Sequence, residues 1–174
     1  SSSFTVGLVN ALSKFLKKNY NKANIAKIAA HIEINCVKRN IGKQDHYAAA
    51  YGGFNKLFFY KDDKVKIQKI KLSKKICSLF ERSSILFYTF QQRDAGYELR
   101  KQFLNFKNNE AKLLSIKDMV NKSINCMQSS QIKILGEILD KSWELKSQMS
   151  NSVSNDVINN NYKIAKKNGV YGGK

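Results

Sequence analysis

The stretch IGKQDHYAAAYGGF occupies residues 41–54 and combines a glycine-containing loop, an acidic residue and a glycine pair. Asp45 ends the loop, and a short apolar turn follows over residues 47–51. Lys43 lies two residues before Asp45, and a nearby cation keeps a carboxylate ionised, which suits a group that orients or deprotonates a hydroxyl. An aspartate at a helix start also serves as a cap. The stretch by itself therefore leaves both roles of Asp45 open.

Two amphipathic helices are predicted before this stretch. Apolar residues recur at three- and four-residue spacing over residues 4–17 and again over residues 23–36. The serines at positions 1–3 precede the first helix, where hydroxyls cap the helix and free N–H groups bind phosphate. Glu33 lies on the second helix, and its carboxylate is either an oxygen ligand for Mg²⁺ or a solvated surface charge.

A β-hairpin and then a set of helices are predicted after it. Residues 54–60 are rich in aromatic side chains, and residues 64–72 alternate between apolar residues and lysine, as paired strands do. Ser73 is suited to cap a helix that runs to Phe80. A third strand is predicted over 85–90, followed by helices over 94–106, 109–127, 129–148 and 155–167, the last ending at Asn168-Gly169. The chain is therefore expected to shift from mixed α/β to mostly helical near residue 84.

The charge of the chain is strongly positive, with 31 Lys and Arg against 13 Asp and Glu, a net +18. Such a charge attracts nucleic acid, but only four of the basic residues are Arg, which base recognition favours, and the lysines are spread along the whole chain. Phosphorylated metabolites are therefore expected as partners in preference to nucleic acid. No apolar run approaches the roughly 20 residues that span a bilayer, and three scattered cysteines fit reduced thiols. We expect a soluble, cytoplasmic protein.

Several of these segments, taken in order, resemble the GHMP kinase superfamily. SSSFTVGLVNAL at 1–12 is similar to the end of that family's phosphate-binding second motif. GKQDHYAAAYGG at 42–53 resembles the catalytic segment of its D-glycero-D-manno-heptose 7-phosphate kinases. Further similar segments are LFYT at 86–89, GEILDKSWELK at 136–146 and NGVYGGK at 168–174. The resemblance covers nearly the whole chain.

The resemblance implies a two-lobed α+β fold of which this chain is a part. Residues 1–72 are expected in the N-terminal lobe, with the end of the phosphate-binding loop and the catalytic segment, and residues 73–174 in the C-terminal lobe. It implies transfer of the γ-phosphoryl group of ATP, with Mg²⁺, to the anomeric hydroxyl of a heptose 7-phosphate, for nucleotide-activated heptose and surface polysaccharide. The family's first and third motifs are absent, so the chain alone is expected to be inactive.

The resemblance also assigns roles to individual residues. Asp45 corresponds to the catalytic carboxylate, and Ser1 and Glu33 correspond to ligands of Mg²⁺. The nucleotide phosphates are expected on Ser1, Ser2 and Ser3. The residues expected to contact the sugar phosphate are Lys43, Gln44, Tyr51, Gly52, Arg93, Gly173 and Lys174. The sequence departs from the family at His46, where Gln is usual, and in the stretch Phe90-Gln91-Gln92 before Arg93.

Two other interpretations stay open. One is a different GHMP kinase that acts on galactose, another sugar or a mevalonate-type alcohol. The other is a basic module without enzymatic activity that binds nucleic acid, which a steep salt dependence of binding to random DNA or RNA would reveal. A sugar phosphate and ATP are the expected partners, no membrane is expected, and the oligomeric state, monomer or homodimer, is left open.

Overall fold

A computed structural model describes residues 2–90, 99, 106–150 and 153–173. The chain divides into two compact units, Ser1–Lys71 and Leu72–Lys174. The first unit contains three α-helices and a hairpin, and the second contains helices and no strand among its described residues. No helix in the described ranges is both long enough and apolar enough to cross a membrane.

Three helices build the first unit, namely α1 (Ser2–Phe15), α2 (Lys22–His31) and α3 (Gln44–Tyr51). Their core is formed by the apolar residues Val6, Val9, Ile25 and Ala29. These are the residues that recur at helical spacing in the sequence, and the small Ala29, which is fully buried, lets the helices approach closely. The two helices predicted before Asp45 are therefore confirmed, with shifted ends.

The start of α1 differs from the prediction. The helix begins at Ser2, so Ser2 and Ser3 lie in its first turn instead of preceding it as caps. The first N–H groups of a helix have no partner within the helix, so serine is tolerated in this turn. Its hydroxyl is then available for a hydrogen bond to another element.

A π-helical turn, Ile32–Cys36, continues the chain directly from α2. Its defining hydrogen bond runs from the N–H of Val37 to the carbonyl of Ile32, 2.9 Å away. The prediction of one helix to Cys36 is thus correct in extent but misses the wider turn. π-Helical turns are rare in proteins, and those that occur often lie at functional sites. Glu33 lies within the turn and is buried.

The stretch around Asp45 is more helical than predicted. Helix α3 begins at Gln44, so Asp45 lies in its first turn, where a negative charge is favoured by the helix dipole. The helix ends at Gly52, whose φ of 63° is in the region that favours glycine. The glycine pair therefore acts as the helix stop.

The predicted hairpin is confirmed. Strands β1 (Asn55–Phe59) and β2 (Val65–Lys69) pair antiparallel, with Leu57 opposite Ile67. The turn between them includes Asp63, which has a φ of 67°. Asp tolerates this conformation better than most side chains, which suits a tight connection.

The second unit contains α4 (Lys74–Arg82), α5 (Phe106–Gln128), α6 (Ile132–Ser147) and α7 (Asp156–Lys167). Ser73 caps α4, because its side chain accepts from the N–H of Ile76 at 3.3 Å. In the same way Asn155 caps α7, accepting from the N–H of Ile158 at 2.9 Å. These helices confirm the predictions over the described residues.

The third strand predicted over 85–90 is wrong. These residues form no strand, and their apolar side chains are exposed, Leu86 almost completely at 98%. An apolar run becomes a strand only where it pairs with another strand, and within the described ranges residues 85–90 pair with none. The helix predicted over 94–106 lies outside the described residues apart from Leu99, which is helical, and Phe106, which begins α5.

Candidate active site

Glu33 is the hydrogen-bonding centre of the first unit. Ser2 Oγ donates to Glu33 Oε2 at 3.1 Å, and Thr5 Oγ1 donates to Glu33 Oε1 at 2.7 Å. His46 Nε2 lies 3.1 Å from Glu33 Oε2. Glu33 is buried, with 5% of its surface exposed. Its carboxylate thus joins the first turn of α1 to the first turn of α3.

The local sequence explains this arrangement. Ser2 and Thr5 are three residues apart in α1, so their side chains lie on the same face of the helix. Glu33 lies in the π-helical turn after α2, and His46 lies one residue beyond Asp45 in α3. Three elements that are distant in sequence therefore supply one buried polar cluster.

The hydrogen bonds hold Glu33 ionised. Burial alone would raise the pKa of Glu33, because removal from water disfavours the charged form. The hydrogen bonds from Thr5 and Ser2, together with the nearby His46 ring, outweigh this and lower the pKa below its ordinary value. Glu33 is therefore a carboxylate at neutral pH.

The chemistry of Glu33 and Ser2 fits Mg²⁺. A carboxylate has about four lone-pair positions, two on each oxygen. Oε2 accepts from both Ser2 and His46 and Oε1 accepts from Thr5, so among the described residues one lone-pair position on Oε1 has no donor. The Ser2 hydroxyl gives its hydrogen to Glu33 and keeps lone pairs that a cation is able to use. Mg²⁺ takes oxygen ligands, uses few protein groups and completes its octahedron with water and phosphate oxygens.

Asp45 is exposed in the first turn of α3. The next residue, His46, is fully buried and points to Glu33, so the backbone of α3 links the exposed aspartate to the buried carboxylate. The start of α1 and the start of α3 are thereby brought together around Glu33, with Asp45 beside them in sequence.

Lys43 and Gln44 are the other predicted site residues at the start of α3. Lys43 precedes α3, and its Nζ donates to Asp63 Oδ1 in the hairpin turn. This hydrogen bond and the charge of Lys43 lower the pKa of Asp63. Gln44 is exposed at the first position of α3. Lys43 thus connects α3 to the hairpin.

The end of α3 contains two more predicted site residues. Tyr51 stacks on Tyr47 with ring centroids 6.5 Å apart, and its carbonyl accepts from Lys22 Nζ at 3.1 Å. The Gly52 carbonyl accepts from Asn55 Nδ2 at 2.9 Å. Both residues are held by contacts within the first unit.

Gly173 lies in the second unit and is held by a polar network. Its N–H donates to the Tyr162 hydroxyl at 3.2 Å, and that hydroxyl donates to Asp140 Oδ1 at 2.6 Å. Lys166 Nζ donates both to Asp140 Oδ2 at 2.8 Å and to the Tyr171 carbonyl at 2.7 Å. Asp140 therefore anchors the segment that ends the described chain to α6 and α7.

The same network shifts two pKa values. Burial and the hydrogen bond to Asp140 raise the pKa of Tyr162 to about 12. Burial alone would raise the pKa of Asp140, but hydrogen bonds from Lys166 and Tyr162 outweigh it and lower the pKa. A carboxylate and a neutral phenol are thus the forms that the fold favours.

Several predicted site residues fall elsewhere. Ser3 is exposed in α1, on a different face from Ser2. Ser1, Arg93 and Lys174 lie outside the described residues. The serine that contacts Glu33 among those described is Ser2, which the sequence assigned to nucleotide phosphate and not to the metal.

Two contributors to the cluster were not predicted. The sequence places Thr5 only within the helix predicted over residues 4–17, although its three-residue spacing from Ser2 is a usable signal. His46 was noted only as a departure from the family, and its contact with Glu33 spans 13 residues of sequence.

The sequence is similar to a protein-family model and to a known kinase. A family model described as "GHMP kinases N terminal domain" matches residues 1–53. A D-glycero-alpha-D-manno-heptose 7-phosphate kinase of Campylobacter jejuni subsp. jejuni serotype O:2 is 33% identical over 176 residues, covering 100% of this chain and 52% of the relative.

Two crystal structures are similar to the chain. One is a D-glycero-D-manno-heptose 1-phosphate kinase from Bacteroides thetaiotaomicron, with a TM-score of 0.67 and 22% identity over 99% of this chain and 47% of that one. The other is a candidate sugar kinase from Campylobacter jejuni, with a TM-score of 0.62 and 28% identity over 100% of this chain and 49% of that one. The predicted α+β fold class is confirmed. The chain spans about half the length of the relatives that it matches.

Proposed function

We propose that residues 1–53, which a model of the GHMP kinases N terminal domain matches, belong to that family, and that the complete protein is an ATP-dependent kinase of a heptose 7-phosphate. The observation that carries the proposal is the Glu33 cluster, in which a hydroxyl of α1 and a side chain of α3 meet one ionised carboxylate. The identity to a heptose 7-phosphate kinase supports the choice of substrate.

In this proposal the start of α1 binds the phosphates of ATP. Its first N–H groups and the positive end of its dipole favour a phosphate there, next to the hydroxyls of the serines at 1–3. Glu33 and a serine hydroxyl hold Mg²⁺, with Ser2 supported by its hydrogen bond and Ser1 by the family resemblance alone. The bound cation would neutralise charge on the transferring phosphoryl group.

Asp45 is proposed as the catalytic carboxylate. It orients the accepting hydroxyl and takes its proton as the oxygen attacks the γ-phosphorus of ATP. The bond from that phosphorus to the bridging oxygen breaks, and ADP leaves with the charge. Its exposed position at the start of α3 leaves the Asp45 carboxylate accessible to a substrate.

The sugar phosphate is proposed to bind around the same segment. Of the expected contacts, Lys43, Gln44, Tyr51 and Gly52 belong to this segment, and the family resemblance adds Arg93, Gly173 and Lys174. Lysine meets a phosphate as a compact cation, and the positive net charge raises the local concentration of anionic substrates. The anomeric hydroxyl is the proposed acceptor, and the product would serve the synthesis of nucleotide-activated heptose for surface polysaccharide, in the cytoplasm.

A substrate panel tests this function. The complete protein, with whatever flanking sequence it carries, is given ATP and Mg²⁺ with heptose 7-phosphate, galactose, mevalonate or no acceptor, and ADP release is followed by a coupled assay. We expect kcat/KM for the heptose 7-phosphate to exceed the others by at least about 10²-fold, because a site that binds a phosphate group discriminates strongly against acceptors without one. Preferred turnover of galactose or mevalonate would contradict the substrate, and no acceptor-dependent ADP release would contradict the kinase activity.

A further inference from the structure

His46 is the most deeply buried side chain of the Glu33 cluster. It has no exposed surface, and its Nε2 lies 3.1 Å from Glu33 Oε2. Its second ring nitrogen, Nδ1, is buried and has no hydrogen-bond partner within the described residues. The ring therefore makes its one side-chain hydrogen bond to Glu33.

The direction of this hydrogen bond follows from its partner. The carboxylate of Glu33 is ionised and only accepts, so Nε2 carries the hydrogen. An unmatched buried nitrogen costs free energy, typically about 1–3 kcal/mol, and such a group in a folded protein calls for an explanation. Among the described residues, the hydrogen bond of Nε2 to Glu33 is the polar side-chain contact that fixes the orientation of the ring.

We propose that His46 is a positioning residue of the metal–nucleotide site, which fixes the Glu33 carboxylate against Ser2. The inference rests on the proposed function, because it assigns Glu33 to the metal. The proposal also links Asp45 to the metal ligand Glu33, because Asp45 is adjacent in α3 to His46, which contacts Glu33.

The physical reason is the geometry that Mg²⁺ requires. Glu33 has three side-chain torsions, and its Oε2 is held by the donors Ser2 and His46. Without His46 the carboxylate keeps the donors from α1, Ser2 on Oε2 and Thr5 on Oε1, and it loses the contact that fixes its position relative to α3. Mg²⁺ demands a near-octahedral arrangement, and the loss of a hydrogen bond to a metal ligand typically weakens metal affinity by about 10–100-fold.

Two amide variants separate this role from simple packing. In His46→Gln the side-chain amide nitrogen reaches about as far as Nε2 and keeps a donor for Glu33, and it is the residue usual in the resembled family. In His46→Asn the amide nitrogen corresponds to Nδ1 and falls short of Glu33. His46→Met, which keeps bulk without a donor, is the alternative to His46→Asn if that variant does not fold. Ile25→Ala is the matched control, since Ile25 is buried in the same unit but belongs to the apolar core.

The measurement is Mn²⁺ binding by electron paramagnetic resonance to the complete protein, with a non-hydrolysable ATP analogue present. We expect the Mn²⁺ affinity to fall about 10–100-fold in His46→Asn and to stay within about threefold of the parent protein in His46→Gln. The Ile25→Ala variant is expected to lose thermal stability but to keep its Mn²⁺ affinity. Acceptor-dependent ADP release is followed in parallel.

Three results would overturn the proposal in distinguishable ways. Unchanged Mn²⁺ affinity in His46→Asn, with an active parent protein, would remove the role of His46 and leave the kinase function intact. An equal loss in Ile25→Ala would show that the effect is general destabilisation. A parent protein that neither binds Mn²⁺ with nucleotide nor releases ADP would remove the proposed function as well.

Discussion

At the scale of single residues, Glu33 is a buried charge whose hydrogen bonds compensate for the loss of its hydration. Three donors converge on it, and each lies in an element that is remote from Glu33 in sequence. A buried carboxylate without such partners would be strongly destabilising. The cluster therefore contributes both to the fold of the first unit and to the proposed chemistry.

The pKa of Glu33 predicts a specific pH dependence of stability. The pKa of Glu33 is lower in the folded chain than the ordinary value of 4.5. As pH falls, the unfolded chain therefore takes up its proton at a higher pH than the folded chain does. The stability contributed by Glu33 is therefore present above pH 4.5 and is lost as pH falls through the folded pKa. We expect Glu33→Gln to lower the free energy of unfolding by about 1–3 kcal/mol at pH 7.

Urea denaturation of the complete protein at several pH values checks this. The difference between the parent protein and Glu33→Gln should shrink as pH falls below 4.5, because the parent carboxyl becomes protonated. Asp140, whose pKa is also lowered, is present in both proteins and cancels from the difference. A difference that stays constant from pH 7 to pH 3 would contradict the account of Glu33.

Sequence reasoning identified part of this cluster. Glu33 and the serine run were recognised because their types and order match known chemistry. The role of His46 was not, because it depends on a contact between α3 and the turn after α2 that no local pattern encodes. Long-range packing decides which polar groups meet, and the sequence alone supplies only the candidates.

At the scale of elements, two helix ends were predicted from a side chain or a glycine that specifies them, namely the Ser73 cap of α4 and the stop of α7 at Gly169, which has a φ of 88°. The Asn155 cap of α7 and the stop of α3 at Gly52, with a φ of 63°, were not predicted. The strand over 85–90 was wrong because pairing depends on a neighbouring strand. The π-helical turn, Ile32–Cys36, was missed because it ends the helical segment, so no further turn follows in which the extra residue would shift the apolar pattern.

A glycine contact in the second unit gives a prediction about its packing. A Cβ added at Gly172 would overlap the carbonyl oxygen of Gly136 and lie 2.7 Å from the backbone nitrogen of Asp140. Both are backbone atoms of α6 and have little room to move. We expect Gly172→Ala to cost about 1–3 kcal/mol of stability through overpacking and to break the hydrogen bond of Gly173 to Tyr162.

Gly173→Ala is the matched control for this prediction. The nearest atom to its added Cβ is Tyr162 Cε2, at an ordinary 3.8 Å. Thermal unfolding of both variants of the complete protein would therefore show a clear loss in Gly172→Ala and little change in Gly173→Ala. Equal melting temperatures for the two variants would mean that Gly172 does not pack against α6 as described.

At the scale of the whole molecule, the order of segments along the chain was the information that predicted the fold class. Each segment is short and unspecific, but a helix with leading serines, an aspartate segment, a hairpin and a helical second half occur in the expected succession. The chain spans about half the length of its relatives, so the kinase activity is a property to be measured on the complete protein.

The central claim is that Asp45 acts on a hydroxyl beside a metal–nucleotide site built on Ser2 and Glu33. The most direct test is the turnover of the complete protein carrying Asp45→Asn, with ATP affinity measured separately. Asp156→Asn is the control, since Asp156 is also an exposed aspartate in the first turn of a helix. The account predicts that kcat falls by about 10²–10⁴-fold in Asp45→Asn, while ATP affinity stays within about threefold and the control keeps its activity. Near-normal kcat in Asp45→Asn would contradict it.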